Sequence, residues 1–307
     1  MVGFDDKKNL QLSQTFIAGF LSGIITRALV SPVDVVKIRF QLQPEKWRSQ
    51  LKYKRIFQAT KVIYKEEGWM AFWKGHIPAQ FLSMIYGGVQ FTTFQQLTKL
   101  VYQIYPYHRD DHTTRSVIFF GCGSLAGAAA TIAAQPADVL RTRFAAQKEP
   151  VAHRSYTQAV QHMLKNEGVF SFYKGLTPAI IQIIPYSGLQ FASYSLLQAL
   201  WRKGGLQEGS ICNLLCGGGA GVIGKALVYP LDVTKKRLQV QGFNKATVSK
   251  VVSYSNFRNC IHMIWKTEGL RGFYKGGAVS VIKACTSTGL AFFTYELFVE
   301  LLSAKTF

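Results

Sequence analysis

Long apolar stretches alternate along the chain with shorter segments that are polar and rich in lysine and arginine. Each stretch is long enough to cross a bilayer, for which a helix needs roughly 20 residues. The pattern therefore predicts six membrane-spanning helices. Three stretches begin near Thr15, Ser116 and Ser210, and the other three cover about 78–102, 178–201 and 277–302.

None of the six stretches is wholly apolar. Polar groups at membrane depth normally face protein or a water-filled cavity. A bundle of six helices around an aqueous path would accommodate both the length of the stretches and their interruptions. The interrupting residues are Arg27, Lys225, Lys283, Gln80, Gln90, Gln135, Gln182 and Gln190.

Two sequence phrases recur three times, about a hundred residues apart, which predicts three similar units at 10–105, 112–204 and 208–304. The first phrase reads PVDVVKIRF at 32–40, PADVLRTRF at 136–144 and PLDVTKKRL at 230–238. The second reads EGWMAFWKG at 67–75, EGVFSFYKG at 167–175 and EGLRGFYKG at 268–276. A GxxxG pair precedes each copy of the first phrase, and we expect close helix contacts there.

The segments between the two long helices of each unit have helical spacing and are basic. Residues 45–75 contain eight lysines and arginines against three acids, and residues 241–275 contain six against one. Basic loops lie on the negative side of a membrane. We therefore expect a short helix in each loop on that side, and both chain termini on the other.

The net charge of +20, from 36 basic against 16 acidic residues, indicates an anionic partner. Nucleic acid, acidic lipid and a phosphorylated small molecule all fit the charge. A soluble, basic repeat protein that binds nucleic acid is a remote alternative, because it leaves the apolar stretches without a role. An enzyme is disfavoured because no nucleophile set, metal-ligand cluster or Walker-type loop is found. We expect neither a metal nor a cofactor, and no nucleic acid.

The first repeated phrase places an acid two residues after a proline and a base three residues after the acid. One interpretation is an ion pair on the surface of a single helix, worth about 0.2–0.5 kcal/mol. The other is a ring in which each acid meets the base of another unit, with the prolines Pro32, Pro136 and Pro230 bending the helices inward. The ring would pair Asp34 with Arg141, Asp138 with Lys235, and Asp232 with Lys37.

Two amides extend the ring hypothesis. Gln41 and Gln239 lie one helical turn beyond Lys37 and Lys235, where they could donate hydrogen bonds across the ring. The matching position of the second unit is Ala145. Such a ring would close one end of the aqueous path yet open at modest cost, because partly solvated ion pairs exchange readily for water.

The threefold PxDxx[KR]x[KR], each followed by EGxxxx[WY]KG, resembles the mitochondrial carrier family over nearly the whole chain. The resemblance implies an all-α membrane protein of six transmembrane helices in a pseudo-threefold bundle, with three short matrix-side helices. It also implies the mitochondrial inner membrane, a central substrate site, and alternating access between two salt-bridge gates. We expect a monomer with both termini on the intermembrane-space side and the acid–base ring as its matrix gate.

The family's other gate uses an aromatic residue, an acid and a base on each even-numbered helix. The matching phrases are FQQLT at 94–98, YSLLQ at 194–198 and YELFV at 295–299, where only Glu296 is charged. We therefore expect a weak cytoplasmic gate made of hydrogen bonds and packed aromatic rings.

Candidate substrate residues lie five residues before each repeated proline and at the family's contact positions on the even-numbered helices. Three of them are cations, Arg27, Lys225 and Lys283, and none is an acid. Desolvated bases at one site repel each other unless an anion joins them, so the site predicts a multiply charged anion such as a pyrophosphate. The alternative is that each base extends to the membrane interface.

The remaining contact positions fit a heteroaromatic ring. Tyr86 and Tyr186 could stack on the ring, although each could equally be a packing residue. Gln90 and Gln182 could bind its polar atoms or hold helices together. Further contact positions are Ile183 and Ser287.

Other anions would make similar demands on the site. Adenine nucleotides, deoxynucleotides and coenzyme A also need converging cations and an aromatic platform. Nucleotide carriers of the family often have glycine followed by an aliphatic residue at the second contact position, whereas this chain has Gln182 followed by Ile183. A nucleotide carrier is therefore the alternative.

The glycines that end the second phrase suggest a lipid site. Gly75, Gly175 and Gly276 begin the even-numbered helices, where free N–H groups favour anions. We expect them to bind acidic headgroups such as cardiolipin.

Overall fold

The structure, a computed structural model, describes residues 12–43, 52–104, 112–148, 155–204, 210–242 and 254–304, and these are almost entirely helical, without strands. Helical 3-10 turns at Trp69–Trp73 and Val169–Tyr173 precede the helices that begin at His76 and Leu176. The predicted all-α class is confirmed. The helices are α1 (Leu12–Leu42), α2 (Ile56–Glu67), α3 (His76–Ile104), α4 (His112–Ala146), α5 (Tyr156–Asn166), α6 (Leu176–Ile181), α7 (Ile183–Lys203), α8 (Ser210–Val240), α9 (Phe257–Phe273) and α10 (Gly277–Ala304).

The long helices form a closed ring. Helix α3 packs along α4, α7 packs along α8, and α10 returns to pack along α1. The last contact is partly polar, because the hydroxyls of Ser22 and Thr26 lie 2.7 and 3.0 Å from that of Thr294. Helices α1, α4 and α8 also contact one another. The three repeats are thus joined head to tail.

The outer surface of the bundle is apolar. Three segments of the described helices are long and apolar enough to cross a membrane by themselves: Ile17–Leu42, Val117–Ala146 and Gly277–Leu301. Phe91, Phe191 and Phe293 are each more than 60% exposed. Exposed apolar side chains along long helices are expected where the solvent is lipid.

Each repeat contains one short helix, at α2, α5 and α9. Their inner faces bury Ile63, Met163 and Ile264, which are fully enclosed. These side chains pack against the phenylalanine of the second repeated phrase, at Phe72, Phe172 and Phe273. The second phrase therefore provides the core that holds the short helix against the bundle.

Prolines lie inside the first helix of each repeat, at Pro32, Pro136 and Pro230. A further proline has an effect that the sequence analysis missed. Helices α6 and α7 are separated at Gln182, where α3 and α10 are continuous. Pro185 has no N–H to donate to the carbonyl of Ile181, so the helical ladder is interrupted there.

The expected close helix contacts at the GxxxG pairs are wrong for five of the six glycines. A Cβ added at Gly127 would lie 3.5 Å from Ile183 and 3.8 Å from Tyr86. At the other five it would meet no described atom within 4 Å, since these positions face open space. The five are Gly19, Gly23, Gly123, Gly217 and Gly221.

Close backbone contacts occur instead at Gly75, Gly175 and Gly276. All three have positive φ, at 86°, 79° and 78°. A Cβ on Gly75 would lie 2.6 Å from the carbonyl oxygen of Arg141, and one on Gly175 would lie 2.9 Å from that of Lys235. A Cβ on Gly276 would lie 3.3 Å from the carbonyl oxygen of Lys37. Each of these glycines thus packs against the backbone of a base in the next repeat's proline-containing helix, and its positive φ favours glycine.

We expect Gly175→Ala to lower the melting temperature of the purified protein, because the substitution adds a left-handed residue cost of roughly 1–2 kcal/mol to a backbone clash. Gly123→Ala, in the same repeat, should leave the melting temperature unchanged or raise it, since alanine favours helix by about 1 kcal/mol over glycine. Equal losses in the two variants would contradict the assignment of close contact to Gly175.

Candidate functional site

Three acidic side chains lie where helices α1, α4 and α8 meet. The carboxylate of Asp34 contacts the guanidinium of Arg141, and Asp138 Oδ2 lies 2.8 Å from Lys235 Nζ. Asp232 Oδ2 lies 3.9 Å from Lys37 Nζ. Each pair joins two repeats, in the cyclic order that the ring hypothesis gives. We call these six residues the acid–base ring.

Each acid of the acid–base ring also contacts a second cation. Lys283 Nζ lies 2.5 Å from Asp34 Oδ1, and Lys236 Nζ lies 2.9 Å from Asp138 Oδ1. Lys225 contacts Asp232 Oδ2, the same oxygen that Lys37 approaches. Lys236 was not predicted from the sequence. Its only indication was the doubled lysine in PLDVTKKRL.

The two amides that were expected at the ring lie beside it. Gln239 Nε2 donates to Asp138 Oδ2 at 2.8 Å, and Gln239 Oε1 accepts from Thr142 and Lys236. Gln41 Nε2 donates to Tyr229 Oη at 3.1 Å. Both amides therefore bridge two repeats.

Tyr229 is a residue that sequence reasoning missed. Its hydroxyl donates to the carbonyl of Lys275, and Lys37 Nζ lies 5.7 Å from the centre of its ring. It thus connects the first and third repeats beside the pair of Lys37 and Asp232.

A second layer of ion pairs surrounds the acid–base ring. In each repeat, the glutamate of the second phrase binds an arginine through two hydrogen bonds and the phrase's lysine through one. Burial opposes ionisation of these glutamates, but their bonds to arginine and lysine hold the pKa of each below its usual value. The sets are Arg39, Glu67 and Lys74; Arg143, Glu167 and Lys174; and Arg237, Glu268 and Lys275.

The three arginines also bind the next repeat. Arg39 donates to the carbonyls of Ala145 and Gln147, Arg143 to that of Gln239, and Arg237 to that of Gln41. These carbonyls lie at or just beyond helix C-termini, which lack intrahelical donors. The second layer therefore caps each helix end with a cation from its neighbour.

The three predicted substrate cations lie on the inner side of α1, α8 and α10. Lys225 and Lys283 extend to the acid–base ring, as described above. Arg27 Nη1 lies 3.4 Å from the carbonyl of Ala79, and its side chain lines a small pocket with Asp34, His76 and Arg141. His76 Nδ1 is buried there without a described partner.

The other predicted contact residues are distributed over α3, α7 and α10. Tyr86, Gln90, Tyr186 and Ser287 are half-buried. Gln182 lies at the break between α6 and α7, and its Oε1 is buried without a hydrogen-bond partner among the described residues. The structure brings Tyr86 and Ile183 to the same glycine, Gly127.

Among the described residues, the opposite end of the even-numbered helices shows no equivalent ring of ion pairs. Gln198 Nε2 donates to Tyr194 Oη at 2.8 Å, and the rings of Phe94 and Phe119 lie 5.9 Å apart. The positions where the family has bases are Thr98, Gln198 and Val299, which carry no charge. Glu296 therefore has no cation at these positions to pair with.

A six-helix ring of three repeats, joined by cyclic ion pairs, defines a carrier. The profile of the family described as "Mitochondrial carrier protein" matches this chain three times, at residues 8–105, 113–205 and 207–306. The chain belongs to this family, and that prediction is confirmed.

Similar proteins that are named as carriers align with nearly the whole chain. The chain is 48% identical to the "Mitochondrial thiamine pyrophosphate carrier" of Homo sapiens, over 97% of this chain and 96% of the relative. The Macaca fascicularis protein of the same name is equally similar. The "Mitochondrial thiamine pyrophosphate carrier 1" of Emericella nidulans is 38% identical over 94% of this chain and 92% of the relative.

We predict that Asp34→Arg and Arg141→Asp each lower the thermal stability of the purified protein, because each leaves a half-buried charge facing a like charge. The double reversal should restore stability only in part, since Lys283 then faces an arginine. As a control, reversal of the exposed pair Lys52 and Glu66 should change little. Absence of any rescue in the double variant would exclude the pairing.

Proposed function

We propose that the protein transports thiamine pyrophosphate across the mitochondrial inner membrane by alternating access. The observation that carries the proposal is the convergence of Arg27, Lys225 and Lys283 next to the acid–base ring. These cations match a diphosphate, and the similar relatives are named as thiamine pyrophosphate carriers. Import into the matrix is the proposed direction. Thiamine pyrophosphate is here a transported substrate, and not a cofactor.

The diphosphate binds the cations of the first and third repeats. Lysine ammonium groups and an arginine fork give strong, charge-assisted hydrogen bonds to phosphate oxygens. Ser287 lies one helical turn after Lys283 on α10 and adds a hydroxyl donor on the same face. The negative charge of the substrate also relieves the mutual repulsion of the three bases.

The aminopyrimidine ring binds on the side of the second repeat. Gln182 Oε1 is a buried acceptor without a described partner, and it can accept from the amino group. Ile183 Cγ2 and the Tyr86 hydroxyl both lie near Gly127, and Tyr186 follows Gln182 by one turn. Ile183 gives this side of the site an apolar contact, and the two tyrosines give it aromatic rings. Gln90 is a further donor or acceptor for the ring.

The acid–base ring acts as the matrix gate. Rocking of the three repeats about Pro32, Pro136 and Pro230 separates its pairs while the cytoplasmic ends close. The cytoplasmic gate is weak, because only Glu296 is charged there. In this proposal the carrier is a monomer with both termini in the intermembrane space.

A nucleotide or coenzyme A carrier is the alternative function, because the same cations would bind those phosphates. Nucleotides and thiamine monophosphate are also the proposed counter-substrates of exchange. The side chain of Gln182 favours thiamine pyrophosphate as the principal substrate.

The proposal predicts uptake of labelled thiamine pyrophosphate into liposomes that contain the purified protein. Unlabelled thiamine pyrophosphate should block uptake, and thiamine should hardly compete, because it lacks the diphosphate. Lack of uptake together with rapid nucleotide exchange would assign the protein to the alternative.

Lys283→Ala should abolish uptake without unfolding the protein, whereas Lys99→Ala, which changes an exposed lysine of α3, should not affect it. Normal uptake by Lys283→Ala would remove Lys283 from the site.

We also propose that cardiolipin binds beside Gly75, Gly175 and Gly276. Lys74, Lys174 and Lys275 are engaged with glutamates, so the N–H groups at the start of α3, α6 and α10 are the main ligands. Adding cardiolipin to the delipidated protein should raise its melting temperature more than adding phosphatidylcholine does. An equal response to both lipids would contradict the site.

A further inference from the structure

Two of the proposed substrate lysines are held by acids of the acid–base ring. Lys225 lies seven residues before Asp232 on α8, which places both on one helix face about 10 Å apart along the axis. Lys225 nevertheless contacts Asp232, so its side chain is extended toward the ring. Lys283 reaches from α10 to α1, where its Nζ lies 2.5 Å from Asp34 Oδ1. Both acids thus bind a cation from the substrate level.

The third acid is held differently. Asp138 contacts Lys235, Lys236 and Gln239, which all lie on α8 at the level of the ring. The second repeat has Thr131 at the position of Lys225, and its hydroxyl donates to the carbonyl of Gly127. Helix α3 packs on α4 as α10 packs on α1, and the α3 position that corresponds to Lys283 is Leu82. Asp138 therefore has no contact with a cation of the substrate level.

We propose that Asp34 and Asp232 compete with the phosphate groups of the substrate for Lys283 and Lys225, while Asp138 does not. The inference rests on the proposed function for the role of the two lysines. Both ammonium groups are only partly exposed to water, and an anionic partner compensates for the hydration that they lose. In the structure the ring carboxylates are that partner, and the diphosphate must displace them when it binds.

Competition of this kind lowers the affinity of the site for its substrate. The carboxylates are attached to the protein, so they are always present beside the lysines at high effective concentration. The cost of breaking an existing ion pair therefore offsets part of the attraction between lysine and phosphate. A carrier needs this limit, because a substrate bound too tightly is not released.

Binding to the purified, full-length protein tests the inference, with inorganic pyrophosphate and thiamine pyrophosphate as probes. Asp34→Asn and Asp232→Asn should each tighten binding of both probes by at least about fivefold, the lower end of common coupling effects. Asp138→Asn is the matched control, because it removes an equal charge from the same ring. It should change the dissociation constant by less than about twofold, as expected of a longer-range effect.

A double-variant cycle gives a second test that does not depend on absolute affinity. In the Lys283→Gln background, Asp34→Asn should no longer tighten binding, because the competed lysine is absent. The pair Lys225→Gln and Asp232→Asn repeats the test at the other end of the site, should one variant not fold. Equal effects of all three asparagine substitutions, or effects that persist in the glutamine backgrounds, would overturn the inference.

The two probes separate failure of this inference from failure of the proposed function. A wild-type protein that binds pyrophosphate but not thiamine pyrophosphate would contradict the proposed substrate. Tighter binding of pyrophosphate by Asp34→Asn and Asp232→Asn would still support competition in that case. A wild-type protein that binds thiamine pyrophosphate with unchanged affinity in Asp34→Asn and Asp232→Asn would retain the substrate and exclude the competition.

Discussion

The structure depends on three carboxylates where the helices of three repeats meet, with Asp138 and Asp232 buried and Asp34 half-buried. Asp138 is only 5% exposed, and a carboxylate at such a position is very unfavourable unless cations and hydrogen bonds surround it. No single helix supplies all of these partners. The helices α1, α4 and α8 must therefore come together at one end, and the outer arginine layer and the glycine contacts form around that junction.

Cyclic order explains why the contacts close on themselves. Each repeat presents an acid to one neighbour and a base to the other, which is a heterologous contact that generates a ring when the rotation closes. Gly75, Gly175 and Gly276 follow the same order, as do the arginines that cap the next repeat's helix ends. The three interfaces thus contain the same kinds of contact, formed by different residues.

Threefold repetition made the ring pairs predictable, because three copies of one spacing leave few arrangements that satisfy all three acids. The second cation on each acid was not predictable in the same way. Whether Lys225 extends toward Asp232 or toward the membrane interface depends on side-chain direction, which periodicity does not contain. Lys236 and Tyr229 act across repeats and belong to no repeated pattern. The GxxxG motif was a poor guide because close helix approach is only one use of glycine. The approach to a carbonyl of the next repeat occurs instead at Gly75, Gly175 and Gly276, where φ is positive.

A substrate with two different ends requires a site that departs from exact threefold symmetry. An exact threefold site would offer the same groups on three sides and would not distinguish the two ends of an elongated molecule. Here the cations lie on α1, α8 and α10, whereas the second repeat contributes Thr131, Gln182 and Ile183. On the proposed assignment, the anionic end of the substrate therefore faces the first and third repeats. The unequal distribution of cations also places two acids of the acid–base ring, and not the third, in contact with the lysines that are proposed to bind the substrate. The orientation of the substrate and its competition with the ring acids therefore have one physical origin.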